Sequence, residues 1–215
     1  MNPNPLADAV TFLTTPGWLS LTFLTMLIIS IGLALYGFAT MRDQRDPGHI
    51  GRWVFRLLVG VMWWQQSLWK VPPFYTDQPN EPFGTTGLAY WMGLMGKHAA
   101  IPLQADIVNQ IILPNFYLFA PMVYGLEVLT AVSLILGVFV RLFGYIGALQ
   151  ILNLWLGLYS APGEWPWTYF FLLLLQLIFA IGRYGQSLGI DAIIATRLRF
   201  RASPGIFRRL IDAMI

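Results

Sequence analysis

The chain has 215 residues, of which 57% are hydrophobic and only 11% are charged, less than half of the roughly 25% that is usual for soluble domains. This composition excludes a water-soluble globular domain, and a formal net charge of only +3 argues against a nucleic-acid-binding surface. The absence of cysteine excludes disulfides, iron–sulfur clusters, thiolate zinc sites and c-type haem attachment. The sequence therefore predicts an all-α integral membrane protein of one domain.

Five apolar stretches approach or exceed the roughly 20 residues that a helix needs to cross the hydrocarbon core of a bilayer. In chain order, these predicted spans are Trp18 to Ala39, Trp53 to Trp69, Phe116 to Val140, Leu142 to Tyr159 and Trp165 to Gly182. Two spans contain a charged residue, Arg56 in the second and Glu127 in the third. The first span is not expected to be a signal peptide, because no Lys or Arg precedes it and its apolar run is too long.

The distribution of Lys and Arg between the spans predicts an orientation. The first connection carries Arg42, Arg45 and Arg52, and the third carries Arg141. The tail from Arg183 onward has six arginines, whereas the N-terminal tail and the fourth connection have no basic residue. Because cytoplasmic loops are enriched in Lys and Arg, the N-terminus is predicted outside and the C-terminus inside. We expect a multi-pass protein of a cell membrane, with a prokaryotic plasma membrane as the favoured location.

The long connection over residues 71–115 is predicted to form an outer cap. Its Pro-rich first half is followed by an apolar segment, GLAYWMGLMGKHA, that is too short to span, and a second short helix is expected after Asp106. These helices are interpreted either as a packed cap without a ligand or as lids over a ligand. Two histidines, His49 and His98, fall on opposite sides of the predicted membrane. No bis-His haem or other metal site is therefore expected.

The C-terminal segment SPGIFRRLIDAMI predicts an amphipathic helix. Ser203 is a suitable N-cap and Pro204 suits the first turn. Apolar residues then recur on one face, opposite Arg208, Arg209 and Asp212. Such a helix is expected to lie on the inner leaflet and to anchor the chain there.

Polar side chains from three predicted spans fall at a similar depth in the membrane. The candidate pocket residues are Gln65, Gln66, Tyr124, Glu127, Gln150 and Asn153, with Trp63 and Trp64 as lining residues. An ionisable group at the centre of a span costs about 2.5–3.5 kcal/mol on insertion scales, so Glu127 is expected to face the bundle interior. Two interpretations stay open: hydrogen bonds that fix helix packing, or a pocket that holds a quinone-like head group or relays a proton, with Glu127 as the best catalytic candidate.

Lys70 ends the second span at its outer edge. Its ammonium group either extends into the interfacial region or reaches down towards Glu127, where an ion pair would neutralise the buried acid. Arg56, one turn from the inner boundary of the same span, is expected to extend towards the interface or to pair inward. Both alternatives depend on which face of the helix meets the bundle.

Three segments resemble the DoxX/DoxD family. The opening helix of that family is similar to the segment RLLVGVMWWQQSLWKVPP. Its pattern of an acid, a glycine and a terminal arginine is similar to YGLEVLTAVSLILGVFVR, and its closing motif is similar to GRYGQSLGID. The resemblance implies a four-helix bundle over residues 52–191, with residues 1–51 as an additional N-terminal span and residues 192–215 as a basic tail. The charges that match the family pattern are Arg56, Lys70, Glu127, Arg141, Arg183 and Asp191.

The large outer insertion looks more like DoxD, the small subunit of thiosulfate:quinone oxidoreductase, than like minimal DoxX proteins. This resemblance implies a membrane subunit of a respiratory or sulfur-linked oxidoreductase complex with a quinone-proximal pocket. Because the chain lacks cofactor ligands, a redox role would rest on holding a quinone or on anchoring a partner that carries the cofactor. Whether the chain is itself an enzyme stays open.

Two other functions stay open alongside the oxidoreductase subunit. One is a non-catalytic structural or assembly subunit of a larger membrane complex. The other is a small transporter, which is less favoured because the chain has a single buried charge and lacks two matching broken-helix segments. The expected partners are the lipid bilayer, other membrane subunits and a quinone, but not nucleic acid.

Overall fold

The computed structural model of the protein describes residues 4–199 and 206–215, and these residues form helices and turns without any strand. The helices are α1 (Pro5–Thr14), α2 (Trp18–Thr40), α3 (Pro47–Ser67), α4 (Gly87–His98), α5 (Pro102–Ile107), α6 (Phe116–Leu136), α7 (Val140–Gly157), α8 (Pro166–Ile181), α9 (Ile190–Arg199) and α10 (Ile206–Met214). Short helical turns occur at Arg42–Arg45, Leu68–Lys70, Val108–Ile112 and Tyr184–Gln186.

Three of these helices, α2, α6 and α7, are long and apolar enough to cross a membrane. The shorter α8 is also apolar, and α3 has 21 residues that include Arg52 and Arg56. The prediction of an α-helical membrane protein is confirmed at this level. Each of the five apolar stretches forms a helix.

Two helix ends differ from the predicted span boundaries, and local backbone chemistry explains both. The second span was expected to begin at Trp53, but α3 begins at Pro47 because the Asp46 carboxylate accepts a hydrogen bond of 2.8 Å from the Gly48 amide and proline is favoured in a first helical turn. The third span was expected to continue to Val140. Instead α6 ends at Leu136, since Gly137 adopts a left-handed conformation with φ of 70°, a common helix stop.

One face of α2 remains uncovered along its whole length. Leu21, Ile28 and Leu35 recur every seventh residue and are 65–68% exposed. A contiguous apolar surface of this kind is unfavourable in water. This face of α2 is therefore suited to an apolar environment such as the lipid bilayer.

The bundle is built from close helix pairs. α3 packs along α6 and α7 along α8, and glycine makes both approaches possible: Gly60 lies against Leu134 and Ile135, and Gly144 lies against the backbone of Ala180. Small residues at helix interfaces allow the backbones to come together where hydrophobic association gives no driving force. The resulting core is extended by α2, whose Ser30 hydroxyl donates to the Ile135 carbonyl at 2.7 Å.

The predicted C-terminal helix is present as α10, which packs against α7. The Arg141 guanidinium donates a hydrogen bond of 3.3 Å to the Asp212 carbonyl, and Ile215 is buried while Leu210 is exposed. The predicted N-cap at Ser203 and Pro204 lies outside the described residues.

Candidate functional site

A cavity of about 400 Å³ lies among α3, α4, α6, α7 and α8, within the size range of small-molecule sites. Most of its lining is apolar or aromatic: Trp69, Leu88, Trp91, Met92, Met95, Val123, Leu154 and Leu158. The polar lining residues are Gln66, Lys70, Glu127, Asn153 and Tyr169. This combination of an apolar wall with a few converging polar groups is typical of binding sites for small organic molecules.

The turn that follows α3 brings Lys70 into the cavity. After Ser67 the chain tightens into a 3₁₀ turn over Leu68–Lys70 and then extends at Val71, where two prolines prevent further helix. This turn leaves the Lys70 side chain only about 6% exposed. Gln66, near the end of α3, also lines the cavity.

Lys70 and Glu127 form a buried ion pair on the cavity wall. The Lys70 Nζ donates to Glu127 Oε1 at 2.5 Å and to Oε2 at 2.6 Å, and Glu127 is 5% exposed. Of the two alternatives for Lys70, the inward ion pair is therefore confirmed. The ammonium group has three donors and the carboxylate about four acceptor positions. Each group therefore keeps hydrogen-bonding capacity beyond the pair itself.

The cap segment is fastened over this cavity. The Gln104 side-chain amide of α5 donates to the backbone and side-chain oxygens of Asn153 at 2.9 and 2.8 Å, and the Ala100 amide donates to the Leu156 carbonyl at 2.7 Å. Tyr169 donates from its hydroxyl to Glu164 Oε2 at 2.6 Å. The connection over residues 71–115 is thus both a packed cap and a wall of the cavity, since α4 supplies part of the lining.

The structure brings together three of the eight candidate pocket residues and separates the others. Gln66, Glu127 and Asn153 line the cavity, and of these only Glu127 is buried, whereas Gln65 does not line it. Tyr124 is half-buried, one turn before Glu127 on α6. The matching depth of these residues could be derived from the sequence, but the face on which each one lies could not.

The remaining candidates contribute to packing. Trp63 and Trp64 lie in the hydrophobic core, where the Trp64 ring stacks on Phe23 with centroids 6.4 Å apart. Gln150 donates from its amide to the Thr130 hydroxyl at 3.5 Å, a bond between α7 and α6. Such a bond matches the interpretation in which polar groups fix helix packing.

Several lining residues were not identified from the sequence. Trp91 was not assigned to the candidate pocket, and Tyr169 was not singled out although it is a polar-tipped residue within the apolar α8. Met92 and Met95 follow the helical spacing of the short cap segment. This three-residue spacing could have identified the face of α4 that meets the cavity.

The charges of the family pattern at the other end of the bundle have structural partners. Arg56 is fully buried, and its Nη1 donates to the Leu134 carbonyl at 2.5 Å, whereas Nε and Nη2 have no hydrogen-bond partner among the described residues. The Asp191 carboxylate accepts from the Phe139 and Val140 amides at 2.8 and 3.1 Å. Asp191 therefore caps the start of α7, close to the charge of Arg56.

The last two of these charges lie nearer the surface. Arg141 is half-buried, and its Nε donates to the Ala180 carbonyl near the end of α8 at 3.3 Å. Arg183, just beyond α8, is exposed. Basic residues at such positions, beside the ends of apolar helices, are typical of membrane boundaries.

Asp191 gives the protein a pH-dependent stability that is open to measurement. Burial raises the pKa of Asp191 to about 6, although the Val140 and Phe139 amides and the charge of Arg56 act in the opposite direction. The folded protein therefore binds this proton more tightly than the unfolded chain, whose aspartates titrate near 3.9. The stabilising contribution is complete below about pH 4 and is lost as the pH rises through about 6.

We expect Asp191→Asn to remove this part of the pH dependence. The measurement is the free energy of unfolding in detergent micelles between pH 4.5 and 7.5. The exposed Asp43 provides the control, and Asp43→Asn is expected to keep the pH dependence of the unchanged protein. An identical pH profile for Asp191→Asn and the unchanged protein would contradict the assignment.

Among the described residues, no group of three or more His, Asp or Glu side chains is arranged to hold a metal ion. The polar groups of the cavity are instead an ammonium group, a carboxylate, two amides and a phenol. These groups can bind an organic molecule and exchange protons with it. Comparison of the chain with protein-family models, with curated proteins and with solved structures gives no match.

Proposed function

We propose that the protein is a quinone-binding subunit of a respiratory or sulfur-linked membrane oxidoreductase complex. The observation that carries this proposal is the buried Lys70–Glu127 pair on the wall of a largely apolar cavity of about 400 Å³. The proposal includes five membrane spans, α2, α3, α6, α7 and α8, with the N-terminus outside. It also includes a DoxX/DoxD-like bundle over residues 52–191.

The chemistry of the ion pair matches that of a quinone head group. Lys70 is a donor for a quinone carbonyl oxygen, and Glu127 is an acceptor for the hydroxyl proton of the reduced form. A carboxylate beside an ammonium group can take up a proton and return it, which is the requirement for a proton-coupled reaction at a buried site. The cavity is thus equipped for both redox states of the head group.

The apolar lining matches the rest of such a molecule. Trp69 and Trp91 supply aromatic surface for a planar ring, and Val123, Leu154 and Leu158 supply aliphatic surface for a hydrocarbon chain. In this proposal, electrons come from a cofactor on a partner protein. The role of the present chain is then to bind the quinone, orient it and handle protons.

A quinone titration tests the proposal. Purified full-length protein in detergent is titrated with decylubiquinone, and binding is followed by quenching of tryptophan fluorescence and by the melting temperature. Ligand that binds only the folded state at 100 times its Kd adds about 2.7 kcal/mol of stability. We expect saturable binding that is weakened at least about tenfold by Glu127→Gln and more mildly by Gln66→Leu.

The neighbouring glutamine provides the matched control. Gln65 is adjacent to Gln66 but does not line the cavity, so Gln65→Leu is expected to keep the original affinity. Absence of saturable binding would overturn the proposal, as would equal affinity in all four proteins.

A second candidate, a non-catalytic assembly subunit, is favoured by α2. This helix leaves Leu21, Ile28 and Leu35 exposed, which gives a second membrane protein an apolar surface to pack on. This function predicts stoichiometric copurification with other membrane subunits in mild detergent and no stabilisation by quinone. The same titration therefore separates the two candidates.

A further inference from the structure

A second, smaller pocket lies outside the ion-pair cavity, between the loop that precedes α4 and the start of α6. It encloses about 110 Å³, well above the roughly 10–15 Å³ that admits one water molecule. Four aromatic residues line it, Phe74, Tyr75, Phe83 and Tyr117, together with the carboxylate-bearing Glu81. None of these residues takes part in the proposed quinone site.

Hydrogen bonds hold the loop around this pocket in shape. The Thr76 and Thr86 hydroxyls are 3.0 Å apart, so that the two ends of the loop are joined. The Leu88 amide donates to the Tyr75 carbonyl at 2.9 Å and the Thr85 hydroxyl donates to the Pro82 carbonyl at 2.7 Å. The pocket is therefore organised before any ligand binds, which reduces the entropy cost of binding.

The aromatic side chains are packed on one another at the start of α6. The Phe83 ring lies 5.2 Å from Phe116 at an interplanar angle of 80°, and 6.4 Å from Tyr117. Phe74, Phe83 and Tyr117 all remain largely exposed at the surface. The pocket thus combines fixed aromatic surface with an open side for entry.

The charge of this segment favours a cation. Asp77 and Glu81 are the only charged residues between Val71 and Gly96, so the segment carries a formal charge of −2. Among the pocket's lining residues Glu81 alone is charged. An anion would meet a carboxylate and the negative faces of aromatic rings in this pocket.

We infer that this pocket binds a quaternary ammonium group. Aromatic rings attract such a cation through their electron-rich faces, and cages of aromatic residues are the recurring sites for choline-type groups. The methyl groups of the cation contact aromatic and proline carbons, and the Glu81 carboxylate balances its charge. A primary ammonium ion retains its hydration more strongly and fits a lining of aromatic rings less well.

Two sources supply this chemistry, a lipid head group and a free solute. The pocket lies at the end of α6 from which a membrane span begins, so that lipid head groups and dissolved molecules both have access to it. The recognised group is the same in each case. The experiment distinguishes the two sources.

The test compares choline with 3,3-dimethyl-1-butanol, an uncharged molecule of the same shape, on purified full-length protein in a detergent without a choline group. Binding is measured by saturation-transfer NMR of the ligand methyl groups. We expect saturable binding of choline and at least about fivefold weaker binding of the alcohol. Equal binding of the two molecules, or binding of neither, would overturn the inference.

Three variants place the site. Glu81→Gln removes the charge and Phe83→Leu removes an aromatic face from an exposed position, and each is expected to weaken choline binding at least about fivefold. Asp77→Asn removes an equal charge from the same loop at a residue that does not line the pocket, and is expected to change the affinity less than twofold. Unchanged binding in Glu81→Gln and Phe83→Leu would contradict the site.

Competition then identifies the source. Dihexanoylphosphatidylcholine at a concentration below micelle formation displaces choline if the natural ligand is a lipid, whereas dihexanoylphosphatidylglycerol does not. If only small free ammonium compounds compete, the ligand is a solute. Both results support a quaternary ammonium site, and neither depends on quinone binding in the cavity.

Discussion

Glu127→Leu is expected to destabilise the protein by about 3–5 kcal/mol, because it leaves the Lys70 ammonium group buried without its partner. Lys70→Met is expected to cost a similar amount, since it leaves an uncompensated carboxylate. In the folded protein both charges are at most 6% exposed, and Lys70 Nζ contacts both carboxylate oxygens. The measurement is the free energy of unfolding in mixed micelles.

The double variant Lys70→Met/Glu127→Leu removes both charges and is expected to recover most of the lost stability. Apolar replacements of buried ion pairs are often neutral or stabilising. The exposed Asp106 supplies the control, with Asp106→Ala expected to change stability by less than about 0.5 kcal/mol. Additive losses in the double variant would show that the two charges do not depend on each other.

This double variant also separates stability from function. A folded protein without the ion pair keeps the apolar lining of the cavity but has neither the ammonium donor nor the carboxylate acceptor. We expect it to have lost at least about tenfold in quinone affinity despite near-normal stability. An unchanged quinone affinity would show that the ion pair contributes only to helix packing, and it would favour the assembly function.

Gly137→Ala is expected to destabilise the protein by about 2–4 kcal/mol. Gly137 adopts φ of 70°, where a residue with a Cβ is strained by about 1–2 kcal/mol. A Cβ at this position would also lie 2.7 Å from the Arg56 Cζ and 2.8 Å from the Gly189 Cα, and overpacking of this kind costs about 1–3 kcal/mol. The guanidinium group cannot withdraw easily because it is fully buried.

Gly163 isolates the contribution of backbone strain. Its φ is 81° and no atom lies within 4 Å of the position of an added Cβ, so Gly163→Ala is expected to cost only about 1 kcal/mol. Thermal unfolding of the two variants under the same conditions measures the difference. Equal losses would show that the contact with Arg56 contributes nothing.

The prediction of helices from the sequence was most successful where hydropathy alone decides. All five apolar stretches form helices, and the end segment after residue 205 forms the helix expected from its spacing. The ends of α3 and α6 were less predictable, because they depend on the Asp46 cap and on the conformation of Gly137. Individual caps and turns determine helix ends to a greater extent than composition does.

The candidate site was only partly predictable for a related reason. Glu127 was selected because it is an acid within an apolar span. Gln66 and Asn153 were grouped with it because residue counting places all three at a similar depth in the predicted membrane. The same depth argument also selected Gln65, which does not line the cavity. Depth follows from counting residues, whereas the face that a side chain presents depends on how each helix packs.

Hydropathy is a property of each segment by itself. For that reason the amino-acid sequence alone determined which segments form apolar helices, and that Glu127 requires a partner inside them. Only the tertiary structure decided that Lys70 is this partner and that α4 forms part of the cavity wall beside the pair. It also decided that three aromatic residues of the loop before α4 share a pocket with Tyr117 of α6. These contacts join residues far apart in the chain, and they depend on the packing of whole helices against one another.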